Sequence, residues 1–189
     1  PEEGRLKESY GCVESNLYQQ GWFVPHDIPG MADLMGGRIK TLADLTNFFE
    51  KCPSDFLWNA YYNHANEPVH HVPFLFNRLG APWLTQYWTR AICNGAYKNK
   101  VEGLVGNEDV GQMSAWYVLS AMGFHPVCPG ETRYELTTPL FDRVEIKLDD
   151  RYAKGKKIRN QNGWKCFGGL LYPVCKIKRE IFRKMLYRP

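Results

Sequence analysis

The sequence contains no run of 18 apolar residues, so no membrane-spanning helix is expected. It has neither a glycine-rich phosphate loop nor a Gly-x-Ser-x-Gly elbow, which removes the common nucleotide-binding and serine-hydrolase readings. The six cysteines (12, 52, 93, 128, 166 and 175) form no Cys-x-x-Cys pair and follow no regular spacing. They support neither a zinc site nor a disulfide framework. Basic residues are scarce through most of the chain: residues 1–149 carry 12 Lys and Arg against 18 Asp and Glu. An acidic body of this kind gives no reason to expect nucleic acid. The opening Pro1-Glu2-Glu3-Gly4 shows neither an initiator Met nor a signal peptide. The chain is therefore expected to begin inside a longer protein, and the missing signal is silent on export.

Aromatic residues are abundant, at 14% of the 189 residues, with six Trp, eleven Tyr and ten Phe. Such a surplus suits stacking on sugar rings or bases, and it equally suits a densely packed core. The length allows one domain with a sizeable core or part of a larger one.

The apolar pattern is helical for most of the chain. Residues 1–13 read as the end of a preceding element, and 14–27 as an irregular polar loop that Pro25 and Pro29 keep from becoming a long helix. A short helix is expected from Pro29 to Met35, ending at Gly36-Gly37. Another is expected over Leu42–Lys51, capped by Thr41 with Asp44 as its capping-box partner. Pro68 suits a first helical position, and Val72, Leu75, Phe76 and Leu79 carry an apolar stripe to Gly80. Pro82 opens an amphipathic helix whose apolar face runs through Trp83, Leu84, Tyr87, Trp88, Ala91 and Ile92 to about Tyr97. A helix over Gly111–Met122 closes at Gly123, where a left-handed cap belongs. Strands are expected only at Tyr134–Thr137 and Arg143–Leu148. The fold class is thus mainly α, a toroid or bundle with short C-terminal β-strands.

Residues 150–189 reverse the charge, with 12 Lys and Arg against two Asp and Glu, and lose the patterning. Lys176–Lys184 could form a basic helix, and a tail for nucleic acid or a membrane surface is one reading. The preferred reading is that this segment is foreign to the fold, read out of frame after about Lys157.

Three polar loops, each leading into a helix or helical turn, hold the candidate chemistry. They are 14–27, 63–71 and 106–112, and they could collect at one end of a ring of helices. Glu14 and the pair Glu108-Asp109 are carboxylates far apart in sequence, with Glu67 between them. Asn16, Asn66, Asn107, Gln112 and histidines surround them. Two separated carboxylates in an aromatic, amide-rich setting suit glycoside cleavage, one protonating the leaving oxygen and the other activating water. Oxygen-rich neighbours also suit a hard cation such as calcium. Plainer readings stand beside these. The acids at 108 and 109 could simply cap a helix, Trp22 and Trp116 could be core, and His64, His70 and His71 with Glu67 could bind zinc.

Glu14-x-Asn16-x-x-Gln19-x-x-Trp22-Phe23-Val24-Pro25-His26-Asp27, Asn66-Glu67-Pro68-x-His70-His71 and Gly106-Asn107-Glu108-Asp109-x-Gly111-Gln112-Met113-Ser114-Ala115-Trp116-Tyr117 together resemble glycoside hydrolase family 92. That family consists of calcium-dependent, inverting exo-α-mannosidases. The resemblance runs in order from about Gly11 to Leu148. It implies that residues 1–130 are part of an (α/α)6 catalytic toroid. It also implies that 131–150 are strands returning to an N-terminal β-sandwich domain largely absent from this chain, and that 151–189 depart from the pattern. By motif, Glu14 resembles the general acid, its pKa expected to be raised by its site, and Asp109 the base, with Asn107 where a partner carboxylate is expected. In an inverting enzyme the two carboxyls stand roughly 6.5–9.5 Å apart. Calcium would be held by Asp109, Asn66 and Glu67, and substrate contacts are expected from Trp22, His26, Asn66, Glu67, His71 and Gln112. Asn66 stands where a His is associated with α-1,2 specificity, so the linkage stays open.

The leading expectation is an enzyme that releases terminal α-linked mannose from glycans, with export to a bacterial periplasm or surface implied by the family. The alternatives are a non-catalytic carbohydrate-binding helical module and a structural helical protein with a basic tail for a polyanion.

Overall fold

The computed structural model describes residues 11–154, 156–167 and 170–175. The reading of 1–13 as a preceding element falls mostly outside these residues, and the basic helix at 176–184 lies wholly outside them.

Helices dominate the first two thirds. Helix α1 is Leu17–Gln20, α2 Ile28–Leu34 and α3 Arg38–Glu50. Two 3₁₀ turns, Glu67–Val69 and Val72–Phe74, lead into α4, Leu75–Arg78. Then come α5, Pro82–Gly95, and α6, Gln112–Met122. Asp27 caps α2 by accepting from the Gly30 amide at 2.9 Å. Gly123 closes α6 at φ +93°, the left-handed cap that its position in the sequence implies.

Two helices differ from expectation. Helix α3 begins at Arg38, so Thr41 lies inside it and not at its cap. The Thr41 hydroxyl instead donates back to the Gly37 and Ala32 carbonyls, and Asp44 pairs with Lys40 at 2.6 Å. The buried face of α5 is Thr85, Thr89, Ile92 and Cys93, whereas Trp83 and Tyr87 face outward, 45% and 62% exposed. Of its two buried threonines Thr89 is partnered, its Oγ1 bonding the Thr85 carbonyl and the Thr137 hydroxyl, whereas the Thr85 hydroxyl has no hydrogen-bond partner among the described residues. Helix α5 stops at Gly95, where a Cβ would stand 2.6 Å from the Ser54 carbonyl.

The core is aromatic. Phe48, Phe49, Tyr62, Phe74, Phe76, Trp22 and Trp116 are all but completely buried. Phe49 stacks on Tyr62 with centroids 4.5 Å apart and tilts against Trp88. Much of the aromatic surplus is thus spent on packing.

Five strands follow in the described residues. Strands β1 (Phe124–Pro126) and β2 (Tyr134–Leu136) form an antiparallel ribbon. Arg78 of α4 pairs with Glu135 and Glu131, and Asn77 donates to the Leu136 carbonyl, which fixes the ribbon to the helices. A three-stranded antiparallel sheet runs in the order β3-β4-β5, with β3 Arg143–Lys147, β4 Lys157–Phe167 and β5 Leu170–Cys175. A one-turn helix α7, Asp150–Ala153, joins β3 to β4. The expected strands are present near 134 and 143, but β1, β4 and β5 were not anticipated. Strands β4 and β5 arise in the basic segment that showed no period, through main-chain pairing with β3 from Arg143↔Gln161 to Lys147↔Lys157.

Candidate active site

The three polar loops do meet, and side-chain to backbone hydrogen bonds join them. In the first loop Asn16 and Gln19 form a reciprocal capping box at α1. Their amide nitrogens also reach the Asn59, Ala60 and Tyr61 carbonyls at 2.6–3.1 Å. Asn66 of the second loop donates to the Glu14 carbonyl at 2.9 Å, and His71 Nε2 donates to the Trp22 carbonyl at 2.9 Å. Gly106 lies against the second loop so closely that a Cβ would stand 2.6 Å from the Ala65 carbonyl. Only glycine permits that approach.

Both candidate catalytic carboxylates sit on strained backbone. Glu14 has φ +53° and Asp109 +49°, and Val110 continues at +57° into Gly111 at +94°. Left-handed backbone is uncommon for Glu and a genuine outlier for Val, at about 1–3 kcal/mol each. The turn is held from both sides: the Gln112 and Met113 amides donate to the Asp109 and Glu108 carbonyls, and Glu108 Oε1 accepts from the Ser114 amide. Glu108 is therefore a helix-start acid, as the plainer reading holds, whereas Asp109 is free to do something else.

Asp109 meets Glu67. A hydrogen bond between the two carboxyls holds Asp109 above its ordinary pKa. A like charge beside a carboxylate disfavours its ionised form, which is the direction seen at Asp109. His70 lies close enough to Asp109 to oppose the shift. Beside the pair runs a cleft of about 270 Å³ walled by Phe23, Glu67, His70, His71, Gln112 and His125. His70 Nε2 donates to the His64 carbonyl at 3.0 Å, so its Nδ1 accepts from the Gln112 amide at 3.2 Å. Burial keeps His71 and His125 neutral, with pKa values pushed down to about 4.

Of the expected residues, the structure brings Glu67, Asp109, His71 and Gln112 together and binds Asn66 to the Glu14 backbone. Trp22, expected at the sugar, is instead a core residue, 2% exposed and packed on Phe48; Trp116 is fully buried too. The neighbouring Phe23 takes the place expected for Trp22: it is 53% exposed and walls the cleft. Trp22 and Phe23 thus point to opposite sides of the loop, one into the core and one towards the cleft. His26 and Asn107 are exposed on their turns, and neither walls the cleft. The zinc reading fails on the ring nitrogens. Those of His64 and His70, and Nε2 of His71, already have hydrogen-bond partners, and no group of three His, Cys, Asp or Glu placed to hold a metal ion occurs among the described residues.

The model of the glycosyl hydrolase family 92 catalytic domain matches residues 2–166. The chain belongs to this family. It is similar in fold to a family 92 α-mannosidase of Bacteroides thetaiotaomicron, with a TM-score of 0.71 and 33% identity over 83% of this chain and 20% of that one. A family 92 inverting mannosidase of the same organism gives a TM-score of 0.66 and 29% identity over 90% of this chain and 26% of that one. An uncharacterized secreted glycosidase of Arthroderma benhamiae is 31% identical over 155 residues, 82% of this chain and 19% of the relative. The chain thus spans about one fifth of the length of such relatives. No described helix is long and apolar enough to cross a membrane.

Proposed function

We propose that this chain is the site-bearing part of an exo-α-mannosidase that releases terminal α-linked mannose from glycans with inversion. The observation that carries the reading is the junction of the three loops, with the Glu67 carboxyl close enough to Asp109 to raise its pKa and the Glu14 main chain fastened to the same junction through Asn66. In this reading Glu14 gives its proton to the leaving oxygen, and Asp109 takes one from the attacking water. Glu67 holds the Asp109 carboxyl in place, and Asn107 lies on the same turn.

The donor set fits calcium. Glu67 and Asp109 bring two carboxyls to one place, a pairing of negative charge that a cation would offset. Asn66 commits its nitrogen to the Glu14 carbonyl, which leaves its oxygen, a hard donor of the kind calcium takes. Calcium, when bound, supplies a charged anchor for two hydroxyls of the terminal mannose.

The remaining helices of an (α/α)6 toroid and a β-sandwich domain would come from chain outside this one. The outward-facing Trp83 and Tyr87 of α5 suit cover by such helices. Export is part of the proposal, in line with the secreted fungal relative.

The test is release of mannose from α-linked mannobioses by the full-length enzyme, with calcium and with chelator. Release that stops on chelation and returns with calcium is the expected result. Mannose binding without release would make the protein a carbohydrate-binding module instead.

A further inference from the structure

Beneath the proposed site lies a buried polar chain that the reaction itself does not use. Tyr62, His64 and Tyr97 run in line: Tyr62 Oη is 2.7 Å from His64 Nδ1, and His64 Nε2 is 2.7 Å from Tyr97 Oη. Tyr97 Oη then reaches the Met113 carbonyl at 3.1 Å. Tyr62 and His64 are 0% exposed.

The direction of the chain follows from proton counting. Tyr97 has one hydroxyl proton and the Met113 carbonyl can only accept, so Tyr97 donates there. It must then accept from His64 Nε2–H. Tyr62 Oη has only His64 Nδ1 as a hydrogen-bond partner among the described residues, so Tyr62 donates its proton there and Nδ1 accepts. No other assignment satisfies every atom, and an unsatisfied buried group costs about 1–3 kcal/mol.

A second chain leaves the same residue. The His64 carbonyl accepts from His70 Nε2, and His70 Nδ1 accepts from the Gln112 side chain. The two chains therefore end on adjacent residues, one on the main chain of Met113 and the other on the side chain of Gln112. These are the first two residues of α6, directly after the left-handed turn Asp109-Val110-Gly111. The Met113 peptide is gripped at both ends, since its amide donates to the Glu108 carbonyl. Ala65, next to His64, carries the closely packed Gly106 that opens the same loop.

We infer that His64 and Tyr97 are positioning residues of the hydrolase: two directed hydrogen-bond chains from one buried histidine set the first turn of α6, and with it the pose of Asp109 against Glu67. The inference rests on the mannosidase reading above. Tyr97 touches no substrate in it; it acts through the α6 backbone. A strained turn has no reason of its own to stay in place, and the two chains over-determine it.

Two equal chemical changes separate positioning from stability. Tyr97→Phe and Tyr62→Phe each delete one hydroxyl from the same buried chain, yet only the first cuts the link to Met113. In the full-length enzyme with an α-mannobiose, Tyr97→Phe is expected to lower kcat by about 10–100-fold with KM within about twofold, as for a small misplacement of a reacting group. Tyr62→Phe is expected to lower kcat less than about threefold, with a similar loss in melting temperature. Equal kcat losses, or a wild-type kcat in Tyr97→Phe, would overturn the inference. Nitrogen NMR of the wild-type His64 ring is the second arm, and it stands even if Tyr97→Phe does not fold. Protonated Nε2 with bare Nδ1 supports the directed chain, and the opposite tautomer overturns it. An inactive wild-type enzyme would contradict the mannosidase reading itself and leave the chain to be judged by the ring tautomer.

Discussion

The helical body and the three-stranded sheet are built by different means. The body, from Asn16 to the β1–β2 ribbon, buries stacked aromatics and four of its five histidines, and buried hydrogen bonds join segments more than 40 residues apart. In the sheet, main-chain pairing joins β3 to β4 and β4 to β5. No β3 side chain is fully buried, and the described ion pairs there, Arg143–Glu145 and Lys157–Glu145, are exposed. Precision is concentrated in the body, where the loops meet. A site assembled from three loops requires directed buried bonds, whereas β3 is held with every other side chain exposed.

The largest effect is expected at Glu14. Glu14→Gln in the full-length enzyme is expected to lower kcat by about 100-fold or more while mannose binding persists, read by steady-state kinetics and calorimetry. Next comes the core: Phe49→Ala is expected to cost about 3–5 kcal/mol in denaturant unfolding. Val144→Ala, on the half-buried face of β3, is expected to cost below about 1 kcal/mol. If the two losses matched, the proposed contrast in packing would be gone.

Acid should find the body and spare the sheet. His71 and His125 have folded pKa values near 4, below the ordinary 6.5, and His64 and His70 are lowered too. A lowered histidine leaves stability intact above the unfolded pKa and removes it as pH falls from 6.5 towards the folded value. Each such histidine is expected to take away up to about 1.4 kcal/mol per pH unit over that window. His71→Gln should make the slope shallower by one proton, as measured by unfolding between pH 7 and 5. The smallest effect is expected at Lys157→Ala: an exposed pair is worth about 0–1 kcal/mol. High salt should erase even that.

Legibility follows the same division. The helices were readable because Pro82, Gly123 and the Val72–Leu79 stripe act locally through fixed φ, a left-handed cap and one-sided burial. The loop motifs likewise marked Glu67, His71, Gln112 and Asp109, which the fold brings together. Trp22 was misplaced because a large aromatic serves a core as well as a sugar, and its exposed neighbour Phe23 took the wall of the cleft. Strands β4 and β5 were missed because main-chain pairing leaves no period in side chains. The role of Tyr97 could not be read at all, since its partner His64 is 33 residues away.

The most direct test of the central claim is proton NMR of the first mannose that the full-length enzyme releases from an α-mannobiose. Early β-mannose, abolished by Glu14→Gln, is the expected result and would assign inversion to a site built on Glu14 and Asp109. Early α-mannose, or release that survives Glu14→Gln, would contradict it.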